Sequence, residues 1–114
     1  IKSIIVEPAN EASFSAGIVP IRGSAYAGEA VIQKVEISVD DGQTWNPTNL
    51  IGLQQPYAWR HWEYMWPAKQ RGDFTIMARA TDTDGRQQPA TAHWNMLGYG
   101  NNGICEHAVR VHII

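Results

Sequence analysis

Apolar and polar residues alternate along short stretches of this chain, and turn residues separate the stretches about every ten positions. The alternation is clearest over residues 33–39, where the residues predicted to face a core are Val35, Ile37 and Val39. The residues between them, which are predicted to face water, are Lys34, Glu36 and Ser38. Because successive side chains point to opposite faces of a β-strand, this period of two predicts a half-buried strand.

Further strands are predicted over residues 2–6, 18–26, 44–45, 73–82 and 105–114. In the strand over 18–26, the residues that would share one face are Val19, Ile21, Gly23 and Ala25. Asp-Gly pairs within residues 40–42 and 84–85 favour tight hairpin turns. No capped run with helical spacing interrupts this pattern. Together with the aromatic segment over residues 56–66, these strands and turns predict an all-β sandwich of about seven antiparallel strands.

Residues 56–66 hold three of the five Trp and two of the four Tyr of the chain. The segment is too short to span a membrane, and it contains the charged residues Arg60 and Glu63. It is most simply an extended strand, over residues 57–66, that is packed on both faces. One face would fill the core. The other face would need a cover from a neighbouring domain, a partner subunit or a ligand.

The composition indicates one globular domain, residues 1–114, with 44% hydrophobic and 18% charged residues. The net charge of −2, without any basic block, argues against a nucleic-acid partner and against an anionic membrane surface. No transmembrane run or signal peptide is recognisable. Because the chain begins at Ile1, inside a predicted strand, we expect it to be a piece excised from a longer protein.

Cys105 is the only cysteine, so no internal disulfide can form. The cysteine count does not distinguish an oxidising from a reducing cellular compartment. On a strand, Cys105 and His107 would share one face. Such a pair could begin a metal site, or could supply a thiolate and a base. A metal site needs three or four ligands, however, and no second close pair of ligands accompanies this one. The simpler interpretation is a small, partly buried thiol beside a hydrogen-bonded histidine.

Two pairs of acidic residues accompany the predicted turns, Asp40 with Asp41 and Asp82 with Asp84. They could bind calcium, but aspartate is also favoured in turns because its carboxylate accepts hydrogen bonds from nearby backbone amides. Residues 86–103 are rich in Gly, Asn and Pro and predict a long irregular segment, a kind that is often functional. No phosphate-binding, dinucleotide-binding, zinc-protease or serine-hydrolase motif is present.

The aromatic segment could form a sugar-binding platform or a protein interface. The centres of protein interfaces are enriched in Trp, Tyr and Arg, and the composition favours an interface. The candidate interface residues are Tyr57, Trp59, Arg60, His61 and Trp62. On the last predicted strand, Arg110 lies on the polar face beside His112, and by spacing alone this is a solvated strand face.

Several motifs, taken in their order along the chain, resemble a known family. They are Gly23-Ser24-Ala25-Tyr26-Ala27-Gly28, the stretch from Val35 to Trp45 with its Asp41-Gly42-Gln43-Thr44-Trp45 turn, Tyr57-Ala58-Trp59-Arg60-His61-Trp62, Ala78-Arg79-Ala80-Thr81-Asp82, Gln88-Pro89, Trp94-Asn95-Met96-Leu97-Gly98-Tyr99-Gly100-Asn101-Asn102 and Val109-Arg110-Val111. The ordered set resembles the C-terminal dimerisation domain of the sulfite oxidase family of molybdenum enzymes. That family includes sulfite oxidases and dehydrogenases, sulfane dehydrogenases and plant-type nitrate reductases.

The resemblance implies an immunoglobulin-like β-sandwich that is not itself catalytic. It implies a homodimer, and an upstream catalytic domain that holds molybdopterin, with the molybdenum-binding cysteine in that domain and not at Cys105. This segment would bind neither cofactor nor metal. The parent protein would oxidise sulfite or a related sulfur compound by oxygen-atom transfer, or reduce nitrate. A periplasmic location would suit a bacterial member of the family.

Residue by residue, the resemblance carries one tentative substrate-binding role, to Arg110 within Val109-Arg110-Val111. The preceding residue is Val109, where the family often has His, and the spacing from Asn102 is longer than in the family. Two alternatives stay open beside the assembly domain. One is an independent immunoglobulin-like module that binds carbohydrate or protein through exposed aromatic residues. The other is a small enzyme built on Cys105 and His107.

Overall fold

The computed structural model describes residues 1–53, 57–89, 104 and 107–114, and within them the chain is built from β-strands. The strands are β1 (Lys2–Glu7), β2 (Ala12–Phe14), β3 (Gly17–Tyr26), β4 (Ile32–Ser38), β5 (Asn46–Pro47), β6 (Asn49–Ile51), β7 (Arg60–Ala68), β8 (Gly72–Asp82) and β9 (Val109–Ile113). The prediction of an all-β fold is confirmed.

The strands form two sheets. One has four strands in the order β1-β3-β7-β6, and the other has five in the order β2-β9-β8-β4-β5. Every neighbouring pair of strands is antiparallel except β2 and β9, which run parallel. Strands β2 and β6 were not predicted, because each has only three residues and so shows no measurable alternation.

The inner faces of the two sheets form one core. Its buried hydrophobic residues are Val19, Ile21, Ala25, Ala27, Ile32, Val35, Ile37, Trp62, Trp66, Ala68, Ile76, Ala78, Ala80, Val109, Val111 and Ile113. The residues predicted to face the core from β4, Val35, Ile37 and Val39, are all in or against this core. Val19, Ile21 and Ala25, which were predicted to share one face of β3, are in it as well. Trp66 packs edge-on against Phe74, with ring centroids 5.1 Å apart, a geometry that aromatic pairs favour.

The structure corrects the prediction for Ser38, which was expected to face water and is instead fully buried. Its hydroxyl donates to Asp40 Oδ1 at 2.7 Å and accepts from the backbone N–H of Gly42 at 2.8 Å. The turn after β4 therefore provides the partners that a buried hydroxyl requires. The alternation of β4 continues to Ile37, and the next side chain, that of Ser38, is instead held by hydrogen bonds within the turn.

The aromatic segment is also corrected in its bounds, since β7 begins at Arg60 and runs on to Ala68. Tyr57 precedes the strand in a turn, with a positive φ of 58° and its N–H bonded to the carbonyl of Gly28. Within β7, Trp62 and Trp66 are buried, whereas Met65 between them is 46% exposed. The inner face of the segment is thus part of the core, and its outer face carries no cover from the described residues.

Candidate functional site

The outer face of the four-stranded sheet is dominated by side chains of β3 and β7. In the antiparallel register, Ile18 lies opposite Pro67, Pro20 opposite Met65, Arg22 opposite Glu63, and Ser24 opposite His61. One step further, the rings of Tyr26 and Trp59 are 5.5 Å apart. We call these five cross-strand pairs the outer ladder.

The middle of the outer ladder is charged and internally paired. Arg22 Nε donates to Glu63 Oε2 at 2.9 Å, and Arg22 Nη1 lies 3.4 Å from Glu7 Oε2 on β1. Hydrogen bonding to Glu63, strengthened by both carboxylate charges, raises the pKa of Arg22. In the next pair, Ser24 Oγ and His61 Nδ1 are 2.9 Å apart. These contacts hold the polar side chains against the sheet.

Both ends of the outer ladder are apolar and exposed. At one end Ile18 is 61% exposed, and at the other Trp59 is 47% exposed with Tyr57 beside it in sequence at 65%. Among the described residues, every exposed large hydrophobic side chain except Ile114 lies on this sheet or directly between β6 and β7. They are Val6, Ile18, Ile51, Leu53, Tyr57, Trp59 and Met65. Exposed apolar side chains that are grouped on one face in this way are typical of an interaction site.

A shallow groove of about 230 Å³ opens on the same face. Its walls include Val6 and Ile51 on the outer strands, with Arg22, Ser24 and His61 along its floor. The outer face therefore offers apolar projections and a depression side by side. Such relief is suited to a protein surface that interlocks with another, since interface cores pack as densely as protein interiors.

The outer face of the five-stranded sheet has a different character, because ion pairs cover it. Arg79 Nη2 lies 3.0 Å from Glu36 Oε1, and the guanidinium carbon of Arg79 stands 4.2 Å above the ring of Trp45. Lys34 Nζ is 3.7 Å from the same carboxylate. The polar groups named here pair with one another. Among the described residues, no strand of this sheet has a large hydrophobic side chain that is exposed.

The far end of that face carries a second charged cluster around His112. Its Nδ1 lies 2.6 Å from Asp73 Oδ1 and its Nε2 lies 2.8 Å from Glu11 Oε2. The hydrogen bonds to Asp73 and then to Glu11 raise the pKa of His112, and the bonds from His112 and Arg110 lower the pKa of Asp73. A protonated imidazole can donate to both carboxylates at once. The cluster links β2, β8 and β9.

The structure separates the five predicted interface residues into two groups. Trp59 and His61 lie on the outer ladder, with Tyr57 exposed beside it. Trp62 is fully buried in the core, so its side chain is not available to a partner. Arg60 is in register with the buried Ala25 and is half-buried, and its Nε has no hydrogen-bond partner among the described residues.

Arg110 lies on the other sheet, near the start of β9. It is exposed, its backbone N–H donates to Asn10 Oδ1 at 2.9 Å, and its Nη2 donates to Asp73 Oδ2 at 3.3 Å. Cys105 lies outside the described residues, as do His93 and the predicted motif over 94–102. The predicted pairing of Cys105 with His107 is therefore not described.

The acidic pairs serve their own turns. Asp40 accepts from the backbone N–H of Thr44 at 2.9 Å and from its hydroxyl, and these bonds lower the pKa of Asp40 to about 2. Burial disfavours the charge on Asp82, yet hydrogen bonds from the backbone and guanidinium of Arg86 hold the pKa of Asp82 below its usual value. In the part of the chain that the structure describes, no group of three or more His, Cys, Asp or Glu residues is placed to bind a metal ion.

Sequence reasoning missed the importance of Ile18, Arg22 and Met65 to the candidate surface. The alternation in residues 18–26 does place Ile18 and Arg22 on the face opposite to Val19 and Ile21. It could not show that they lie beside β7, because that pairing joins residues more than 40 positions apart.

Over the same described residues, no helix has the length and apolarity needed to cross a lipid bilayer.

Comparison with known proteins bears on what this surface does. The whole chain, residues 1–114, matches the family model described as the Mo-co oxidoreductase dimerisation domain. It is 36% identical over 124 aligned residues to mitochondrial sulfite oxidase from Mus musculus, covering 100% of this chain and 22% of that protein. It is 35% identical over 95 residues to NADH nitrate reductase from Ulva prolifera, covering 74% of this chain and 11% of that one.

Solved structures agree with the fold. The sulfane dehydrogenase SoxCD from Paracoccus pantotrophus superposes with a TM-score of 0.72 at 26% identity, over 78% of this chain and 23% of that chain. Fibronectin(III)-like modules of CbhA from Clostridium thermocellum superpose with a TM-score of 0.61 at 15% identity, over 97% and 93%, a likeness of fold alone. The chain spans about a fifth of the length of the sulfite oxidase that it matches.

Proposed function

Because this chain belongs to the Mo-co oxidoreductase dimerisation domain family, we propose that it is the assembly domain of a molybdenum-dependent oxidoreductase. In this proposal, residues 1–114 form a single domain of a longer protein. The domain pairs with a second copy to make a homodimer and packs beside a separate catalytic domain. It carries out no chemistry by itself. The independent binding module predicted as an alternative is not favoured by these relationships.

One observation carries the proposal, and it is the contrast between the two outer faces of the sandwich. The four-stranded sheet exposes Ile18, Trp59 and Met65 to solvent, whereas the five-stranded sheet closes its outer face with ion pairs such as Arg79 with Glu36. Burying apolar surface drives protein association, at about 25 cal/mol for each Å² removed from water. The apolar face is therefore the one that gains most by being covered.

For the parent protein, we propose oxidation of sulfite or a related sulfur compound by oxygen-atom transfer at molybdenum. Support comes from the sulfite oxidase and sulfane dehydrogenase relatives. The described residues do not fit a molybdenum site, because no cluster of metal-binding side chains occurs among them. The molybdenum cofactor would accordingly be held by the catalytic domain, and no chemical step is assigned to this chain.

We also propose Arg110 as a residue that contacts the substrate anion of the parent. Its guanidinium is half exposed, with one carboxylate, that of Asp73, at 3.3 Å. A guanidinium has five N–H donors in a planar fork, so donors remain for an oxyanion. In the parent enzyme, Arg110→Gln should raise KM for the anion much more than Arg110→Lys does. Equal KM values for wild type and Arg110→Gln would remove this role.

The test of the assembly function is the mass of the 114-residue chain in solution. Light scattering coupled to size exclusion, over a concentration series, should show a dimer that dissociates on dilution. A chain that stays monomeric up to the highest concentration would contradict self-association by this domain. Adding a panel of oligosaccharides while following Trp fluorescence tests the alternative, since a saturable change would indicate a binding module instead.

A further inference from the structure

We infer that the second copy of this chain docks on the outer ladder, with a two-fold axis that runs along β3 and β7 and lies between them. This inference rests on the proposed self-association and adds to it a surface and an orientation. The contacting residues are those of the outer ladder: Ile18, Pro20, Arg22, Ser24 and Tyr26 on one side, and Trp59, His61, Glu63, Met65 and Pro67 on the other.

The outer face is large enough for this role. Five pairs spaced two residues apart, at ~3.3 Å per residue, give a ladder about 26 Å long, and four strands ~4.8 Å apart give a width of about 19 Å. Their product is roughly 500 Å² on each copy, or about 1,000 Å² in total, which reaches the lower bound for a specific interface. The projections of Leu53 and Tyr57 at one end would add to it.

A dimer with a two-fold axis uses the same surface on both copies, and that surface must be complementary to itself. Two face-to-face arrangements satisfy this condition. If the axis runs across the strands, each end of one ladder lies on the opposite end of the second copy's ladder, and each strand faces the same strand of the second copy. If the axis runs along the strands, between β3 and β7, like ends meet, and β3 of one copy lies on β7 of the other.

The charged pair at the middle of the ladder distinguishes these two arrangements. With the axis across the strands, Arg22 would lie on Arg22 of the second copy, and Glu63 on Glu63. With the axis along the strands, each Arg22 lies on Glu63 of the other copy, twice in the dimer. Like charges that meet across an interface cost several kcal/mol, whereas opposite charges fix the register. The charges therefore select the axis along β3 and β7.

The apolar ends agree with this choice. The Tyr26 and Trp59 pair meets the same pair of the other copy, and aromatic rings gain further stabilisation from packing on one another. At the other end, Ile18 of each copy meets Pro67 of the other copy, so aliphatic surface is buried on aliphatic surface.

Cross-linking measures the orientation directly. In a Cys105→Ser background, Ile18→Cys introduces one exposed thiol at the end of the ladder. With the axis along the strands, the two thiols of a dimer lie at the same end. With the axis across the strands, they lie about 26 Å apart, by the rise of ~3.3 Å per residue. A short bifunctional maleimide should convert the Ile18→Cys protein to covalent dimer. Gln33→Cys, an exposed position on the other sheet, is the matched control and should stay monomeric on a denaturing gel.

Charge reversal tests the same surface without a reagent. Arg22→Glu and Glu63→Arg should each abolish self-association, because each places like charges on one another across the axis. An equimolar mixture of the two variants should form a heterodimer, in which all the facing charges are opposite.

The cross-linking experiment has a second variant, Pro67→Cys, at an exposed position opposite Ile18. It replaces Ile18→Cys if light scattering finds that the Ile18→Cys protein no longer forms a dimer.

The outcomes separate this inference from the function on which it rests. The inference would be overturned, and the assembly function kept, if the wild type is a dimer and Gln33→Cys cross-links while neither Ile18→Cys nor Pro67→Cys does. Cross-linking of Ile18→Cys only to a Tyr26→Cys partner would overturn the orientation. A wild-type chain that is monomeric at all concentrations would overturn both.

Discussion

The indole ring of Trp62 lies directly over Gly23, its partner across the β3–β7 pair. A Cβ built on Gly23 would stand 2.3 Å from Cζ2 of that ring and 2.1 Å from the carbonyl oxygen of Ile4. Real Cβ atoms do not approach other heavy atoms so closely. The absence of a side chain at Gly23 is therefore what allows the fully buried Trp62 to enter the core.

We predict that Gly23→Ala lowers the free energy of unfolding by about 3 kcal/mol or more, at the upper end of the usual cost of overpacking. A rigid ring and a backbone carbonyl block the added methyl group, so small shifts cannot relieve the clash. Urea denaturation followed by Trp fluorescence measures the change. Gly28→Ala is the control, because a Cβ there meets nothing within 4 Å and only its positive φ of 71° is unfavourable. It should cost about 1 kcal/mol.

Asp40→Asn should weaken the turn after β4, because the carboxylate accepts hydrogen bonds from Ser38 and Thr44. The folded-state pKa of about 2 lies below the ordinary 3.8. The stabilisation is therefore present above pH 3.8 and is lost as the pH falls through about 2. Wild type should be the more stable at neutral pH, and the two proteins should converge in acid. Asp41→Asn, on the exposed neighbour, should match wild type throughout, and an equal loss in both variants would contradict this account.

The His112 cluster predicts a stability that falls on the alkaline side. The folded-state pKa of His112 is raised above 6.5, so its contribution is complete below pH 6.5 and is lost as the pH rises through the higher folded value. Asp73 has a lowered pKa, so its contribution is present above pH 3.8 and is lost as the pH falls through the lower folded value. The cluster is most stabilising between these limits, with Glu11 and Arg110 as the other charged groups that face it.

The variant that checks this prediction is His112→Gln, which cannot become charged. From about pH 6 to about pH 9, its free energy of unfolding should change less than that of wild type. His61→Gln removes a histidine that bonds Ser24 and is the matched control for the loss of an imidazole. Parallel profiles for wild type and His112→Gln would show that the cluster does not act as described.

For the outer ladder, we predict that Trp59→Glu weakens the dimer while leaving the fold intact. Trp59 lies at one end of the outer ladder, and a large aromatic residue that is buried on association can contribute about 2 kcal/mol or more, which is roughly a thirtyfold rise in Kd. Sedimentation or light scattering over a dilution series gives the Kd. Trp59→Phe keeps a ring beside Tyr26 and should lose much less. An unchanged Kd for Trp59→Glu, with unchanged stability, would remove Trp59 from the contact.

The period-two alternation was sufficient to predict the long strands and most of the core. Val35 and Ile37 on β4, and Val109, Val111 and Ile113 on β9, are inward as their spacing requires, because each strand has one clearly apolar face. The aspartate turns could also be read from local residues, since a carboxylate and the amides that it accepts from are separated by only two to four positions.

The aromatic segment shows where such reasoning stops. Both of its faces carry large apolar residues, Trp59 and Met65 on one and Trp62 and Trp66 on the other, so alternation alone does not identify the inward face. The pairing with β3 decides the matter, because the missing side chain of Gly23 leaves room for Trp62 and not for its neighbours.

The sequence by itself therefore determined the class of fold, the long strands, the turn chemistry and the resemblance to a family, all of which depend on residues close together in the chain or on their order. Only the tertiary structure decided that Ile18, Arg22, Trp59 and Met65 form one surface, and that the opposite face is closed by ion pairs. The physical reason is register. Hydrogen bonding between β3 and β7, whose paired residues lie 35 to 51 positions apart in the chain, places these side chains beside one another, and no local pattern encodes that pairing.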